Sequence, residues 1–213
     1  DLKRMDFADV DKEMRTATVE PGISCAKLAD EAEKVGLRPL TIGGPATANV
    51  VSNYMLRGLP HLLPRYGNTG EQVLGMEIVL PNGDVLYTGS AAFPNTGPHF
   101  KYFGPDLGGL FQGQPGTMGV VTRMTVRLYP FPERQEMAIC GFRTREGEKP
   151  EDALRRATVF VHALALQDPP VASTCALMHW LAGSIMMVKD REDIPKFKGT
   201  VGDWLVVVGI EGT

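Results

Sequence analysis

The segment Phe103 to Thr122, "FGPDLGGLFQGQPGTMGVVT", decides how this chain is read. Gly113, Gly116 and Gly119 recur every three residues, and a strand pattern, "VVTRMTVRL" from Val120 to Leu128, begins as soon as they end. A dinucleotide-binding βαβ unit places its strand before the glycines and a helix after them. The order here is a turn or short helix, then glycines, then strand, so the segment is not that fingerprint. Such a turn brings peptide N–H and C=O groups against a flat polar ring system with no side chain between. Taken alone, it equally suits a glycine-rich connection between packed elements.

A second bare stretch lies upstream, Thr41 to Asn49, "TIGGPATAN", ahead of a helical pattern from Ala46 to Leu56. A glycine pair before a helix start has the parts of an anion site, and it is also an ordinary tight turn. Around these two segments the chain reads as alternating small elements. Thr16 to Glu20 alternates and stops at Pro21-Gly22, a strand and a turn. Ser24 caps a helix with apolar positions Cys25, Leu28, Ala29, Ala32 and Val35, ending at Gly36. "RGLPHLLPRYG" reads as a loop, and Val73 to Leu80 with Val85 to Thr88 as a hairpin joined by Asn82-Gly83. Pro130 and Pro132 mark a boundary. Beyond it, Glu136 to Phe142 reads as a strand and Glu151 to Leu166 as a helix. "STCALMHWLAGSIMMV" is open between strands and a buried helix, and "WLVVVGIEG" is a closing strand. The fold class is α+β, with domains expected at residues 1–132 and 133–213.

Composition narrows the function classes. The chain has 213 residues, 43% hydrophobic and 22% charged, with a formal net charge of −3. Lys and Arg are scattered, which excludes an electrostatic footprint for nucleic acid. No apolar run is long enough to span a bilayer, so a soluble, cytoplasmic protein is expected. Three dispersed cysteines and four dispersed histidines give neither a disulfide frame nor a metal-ligand cluster. Both ends fall inside strand-like sequence, as expected of a subunit or a part of something larger.

Taken in order, "ATVEPGISCAKLADEAEKVGLRP", "TIGG", "RYGNTGEQVLGMEIVLPNGDVLYTGS" and "GPDLGGLFQGQPGTMGVVTRMTVRLYP" resemble the flavin-binding domain of the vanillyl-alcohol-oxidase / p-cresol-methylhydroxylase (PCMH-type) family. The resemblance implies FAD as cofactor, residues 1–132 as the second α+β subdomain of the FAD-binding domain, and residues 133–213 as the start of an α+β substrate cap. It assigns Ile42, Gly43, Gly44, Pro45 and Thr47 to the turn along the pyrophosphate and ribityl chain. Tyr66, Gly67 and Asn68 become the loop approaching the flavin, and Gly116, Thr117, Gly119 and Val121 the turn and strand start that touch the cofactor through the backbone. The family's earlier pyrophosphate loop and its later catalytic residues have no counterpart in this sequence, so other polypeptide chains are expected to complete the flavin site in an oligomer.

No catalytic residue is assigned. Arg65 could hold a carboxylate or form a surface ion pair; Tyr66 could orient substrate or simply be satisfied in its loop. His61, His99 and His179 are candidate bases, and Asp106 fits a turn-fixing role. The reaction implied is hydride transfer from a small hydroxylated substrate, a 2-hydroxy acid or a para-substituted phenol or alcohol, to the flavin. The alternative is a non-catalytic flavin-fold subunit serving assembly or docking.

Overall fold

The computed structural model describes residues 2–40, 43–101, 104–114, 116–168 and 171–212. They form two compact units, one of Asp1–His61 with Gly67–Phe131, the other of Leu62–Tyr66 with Pro132–Thr213. The first contains β1 (Ala8–Asp11), β2 (Thr16–Val19), α1 (Cys25–Glu33), β3 (Leu37–Arg38) and α2 (Val50–Met55). After α3 (Leu63–Tyr66), which belongs to the second unit, follow β4 (Val73–Val79), β5 (Val85–Tyr87), β6 (Val120–Arg127) and β7 (Tyr129–Pro130). Five strands make an antiparallel sheet in the order β1-β2-β6-β4-β5, and β3 pairs with β7.

The core of this unit packs α1 and α2 against the sheet. Ser24 Oγ accepts the Lys27 N–H at 3.2 Å, starting α1, whose Leu28 and Ala32 are fully buried; Gly36, at φ +78°, ends it. Tyr54 of α2 is also buried, its hydroxyl donating to the Leu40 carbonyl at 2.8 Å; burial pushes its ionisation far above the ordinary range. α2 starts at Val50, not at Ala46. Ala48 N–H bonds Pro45 O in a turn, while Ala46 and Ala48 carbonyls accept from Ala26 and Cys25 of α1. That pairing holds residues 46–48 out of helix, and the Asn49 side chain caps α2 by accepting the Ser52 N–H at 2.8 Å.

β6, the central strand, carries an irregularity that sequence alternation alone leaves ambiguous. Glu77 faces Arg123 and Ile78 faces Val121, so Thr122 is an extra residue without a partner across the pair. This bulge turns both Val121 and Met124 into the core despite their odd spacing. Just before it, Gly119 passes so close to β4 that an added Cβ would lie 2.7 Å from Ile78 Cγ2 and 3.0 Å from the Val79 carbonyl.

The second unit is built on β8 (Arg134–Phe142), α4 (Pro150–Ala165), β9 (Ala172–His179), α5 (Trp180–Met187), α6 (Ile194–Val201) and β10 (Trp204–Gly212), with sheet order β8-β10-β9, antiparallel. The ambiguous segment thus divides into a strand followed at once by a helix. Val206 and Val208 of β10 pack with Ala157 and Phe160 of α4, whereas Leu205 and Val207 pack with Trp180, Phe197 and Val201 of α5 and α6. Both faces of β10 are covered, which is why "LVVV" reads as a continuous apolar run. α4 begins with Pro150 and an Asp152 carboxylate that accepts the Lys149 N–H at 3.0 Å. No helix among the described residues is long and apolar enough to cross a membrane.

Gly119→Ala is expected to destabilise the protein by about 1–3 kcal/mol through overpacking against β4. A lowered urea midpoint at unchanged slope checks it; an unchanged midpoint would show that the strands part without cost.

Candidate functional site

The two bare segments have different local reasons for their glycines. Gly116 lies at φ +78° and Gly113 at φ +75°, conformations that L side chains rarely adopt, and no atom lies within 4 Å of where a Cβ would be at either. Their backbone therefore borders open space. Gly119, three residues on, is bare because β4 requires it. Thr117 is committed locally, its N–H and hydroxyl both bonding Gln114 Oε1 at 2.6 and 2.9 Å, and Val121 is buried in β6.

A cleft of about 350 Å³ opens at this turn. Gly116, Gly119, Val120, Val121 and Gln114 line it together with Val51, Ser52 and Met55 of α2, the following Leu56, Leu2 and Pro21. It offers bare backbone, two neutral polar side chains and apolar walls. That lining suits a flat ring system with polar edges. Sequence reading did not single out the α2 wall; its signal was Ser52, a polar residue inside the apolar run "NVVSNYML".

Gly43, Gly44, Pro45 and Thr47 are exposed and do not line this cleft, and Ile42 lies outside the described residues. Gly43 donates its N–H to Leu59 O at 3.4 Å, and a Cβ there would lie 3.4 Å from the His61 ring, an accommodating contact. The helix after this turn does not offer its whole first turn of donors to an anion. Val50 N–H goes to Ile23 O and Ser52 N–H to the Asn49 cap.

Tyr66 ends α3 in the second unit, with the Arg65 guanidinium 5.6 Å from its ring centre. Arg65 also pairs with Glu211 at 3.5 Å, so the ion-pair reading of this arginine holds. Gly67 sits at φ +77°, where a Cβ would strike the Glu71 carboxylate. Asn68 caps the turn Thr69–Gln72, accepting from Glu71 N–H at 3.2 Å and donating to its carboxylate at 2.7 Å.

The dispersed ionisable candidates do not converge. Asp106 accepts the Gly109 N–H at 3.1 Å and lies 3.4 Å from Lys101, fixing its turn as expected. The backbone N–H of His99 donates to Ser90 Oγ at 2.8 Å, in a loop drawn together around that hydroxyl. His179 caps α5 and lies with Asp203, Glu151, Thr144 and Trp204 around a separate cavity of about 530 Å³ in the second unit. The Thr144 N–H, 2.8 Å from its carboxylate, then the Thr144 hydroxyl and the charges of Lys198 and His179, hold Asp203 below the usual carboxylate range. The cysteines are free; burial pushes the Cys25 thiol up, and burial with Cys140 nearby does the same to Cys175. The described residues contain no group of three or more potential metal ligands.

Residues 1–89 match the model of an FAD binding domain family. The chain aligns with the 4-cresol dehydrogenase [hydroxylating] flavoprotein subunit of Pseudomonas putida at 38% identity, over 62% of this chain and 26% of that protein. It aligns with the mitochondrial D-lactate dehydrogenase [cytochrome] of Arabidopsis thaliana at 36% identity, over 59% of this chain and 21% of the relative. The solved structure of p-cresol methylhydroxylase with substrate bound superposes with a TM-score of 0.79 at 27% identity, covering all of this chain and 43% of that one. The chain is similar in sequence and fold to PCMH-type flavoproteins, and its first 89 residues match the FAD binding domain. It spans less than half the length of these relatives. The FAD binding domain match and the flavoprotein relative indicate FAD as the cofactor, and the open backbone at Gly116 beside an apolar cleft fits such a group.

Asp203 supplies a pH dependence. Its folded pKa is depressed, so its contribution is complete above the unfolded value of about 3.9 and disappears as pH falls through the folded value. Asp203→Asn is expected to flatten this acid limb in pH-dependent thermal unfolding; an unchanged acid limb would remove Asp203 from the account.

Proposed function

We propose that this chain supplies part of the FAD site of an oxidoreductase acting on a small hydroxylated substrate, either a 2-hydroxy acid or a para-substituted phenol or alcohol. The observation that carries the proposal is the left-handed, side-chain-free backbone of Gly116 in the cleft walled by α2. Gly116, Thr117, Gly119 and Val121 hold the cofactor through the main chain, with Met55, Leu56 and Val120 excluding water from its rings. Gly43, Gly44, Pro45 and Thr47, with Ile42, lie along its pyrophosphate and ribityl chain, and Tyr66, Gly67 and Asn68 approach the flavin. When bound, FAD supplies the hydride acceptor. This chain's own part is to bind and orient, since the cleft presents backbone, Ser52 and Gln114 with apolar side chains. The substrate classes are supported by relatives named for D-lactate and 4-cresol, and completion of the site by other polypeptide chains is supported by a relative named as a flavoprotein subunit.

The visible absorbance spectrum of the native protein containing this chain is expected to show flavin bands, and acid precipitation tells released from covalently retained flavin. A featureless spectrum from folded protein would favour a non-catalytic subunit. Gly43→Val and Gly116→Val are expected to lose flavin while cooperative unfolding persists, with Gly116→Val also costing about 1–2 kcal/mol in backbone strain. Loss of fold in proportion to loss of flavin would overturn the cofactor reading.

A further inference from the structure

Gln114 lies between the two open glycines of the first unit and lines the cleft beside Gly116. Its carboxamide is used at both ends. Oε1 accepts the Thr117 N–H at 2.6 Å and the Thr117 hydroxyl at 2.9 Å, while Nε2 donates to the Phe111 carbonyl at 3.0 Å. Two donors facing one end and an acceptor facing the other leave a single orientation of the amide. The side chain thus brackets residues 111–117, and Gly113 and Gly116, both at positive φ, lie inside the bracket. The start of this turn is anchored separately. Phe111 is buried in the core, and the Gly113 N–H bonds the Met55 carbonyl of α2 at 2.7 Å. Beyond the bracket, Gly119 is seated against β4. Thr117, between these anchors, is exposed, and among the described residues Gln114 alone bonds its N–H.

We propose that Gln114 is a positioning residue for the FAD site: its carboxamide holds residues 111–117 in the conformation that presents the Gly116 backbone to the cleft. Two glycines within four residues give a chain that visits both signs of φ. No atom lies within 4 Å of a Cβ position at either, so packing does not select the left-handed form. The selection falls to hydrogen bonds, and three of them meet on this one side chain. Core burial gains little from such a bracket, because Gly116 and Thr117 are exposed. What it provides is a backbone set before the ligand arrives, which spares binding the entropy of ordering the turn. A neutral amide also does this without placing a charge in a cleft whose described lining holds no ionisable side chain. The proposal rests on the reading of Gly116 as part of the FAD site, and the experiment separates the two.

The test uses the full-length protein containing this chain, with Gln114→Leu, which keeps the bulk of the side chain, Thr117→Val and the double variant. The first readout needs no flavin: amide hydrogen exchange at Thr117 in flavin-free protein, with the amides of β4 as internal reference. Gln114→Leu is expected to speed exchange at Thr117 about tenfold, the order set by one lost hydrogen bond, and to leave β4 unchanged. The second readout is the affinity for FAD titrated into the same flavin-free protein. Gln114→Leu is expected to weaken it about tenfold, Thr117→Val, which loses the hydroxyl bond alone, by less, and the double variant by no more than Gln114→Leu. Unchanged exchange at Thr117 in Gln114→Leu would overturn the positioning role, whatever the FAD affinity. Losses of affinity that add in the double variant would overturn it too, since residues acting through one bracket do not add. Faster exchange with unchanged FAD affinity would overturn the reading of Gly116 as a cofactor contact, and the positioning role with it. Should Gln114→Leu fail to fold, Gln114→Ala, which adds no apolar bulk, decides by the same two readouts.

Discussion

The register between β4 and β6 is the constraint on which the first unit depends. Thr122 stands outside the pairing and Gly119 slides against Ile78 and the Val79 carbonyl. That bulge lets residues at an odd spacing, Val121 and Met124, share the buried face, so the strand both closes the core beneath α1 and α2 and bends at its start. The turn preceding the bend then lies beside α2, and the cleft follows from the junction. Thr122 itself is put to use: its hydroxyl bonds the Glu77 carboxylate at 2.6 Å on the far side of the sheet from the helices.

The equally spaced glycines of this segment are therefore not equivalent. Gly119 answers to the fold, whereas Gly113 and Gly116 border open space in a backbone conformation closed to most residues. A motif read as one unit divides into a packing device and an open, side-chain-free turn. The glycine pair at residues 43 and 44 is a third case. It lies in an exposed turn tethered to Leu59 rather than at an open helix terminus, so its service to a phosphate would come from the turn's own backbone.

Much of this was legible wherever chemistry is local. Asn82-Gly83 fixed the β4–β5 hairpin, and Ser24 with Gly36 bracketed α1. Where partners are distant the sequence was silent or misleading. The start of α2 is displaced because Ala46 and Ala48 bond to α1, and α3 is hidden inside a Pro- and Leu-rich stretch read as loop. α6, "IPKFKGTV", has a helix-disfavouring composition and gains its stability from burying Phe197 and Val201 against β10. Among site residues, the glycines were visible as a pattern, but the α2 wall of the cleft depends on tertiary packing. So does the partner of Arg65, which could have been named only with the sheet in hand.

The chain's excursion at Leu62–Tyr66 carries a consequence for how the molecule can be divided. These five residues belong to the second unit although residues of the first flank them on both sides. The junction near Phe131 is thus not a clean seam. A polypeptide ending there would keep α3 and Leu62, which is buried in this structure, without the sheet they pack on. A polypeptide beginning there would separate the buried Glu211 carboxylate from Arg65. The second unit is assembled from two separate stretches of the sequence, and its boundary is a property of the whole chain rather than of any one peptide bond.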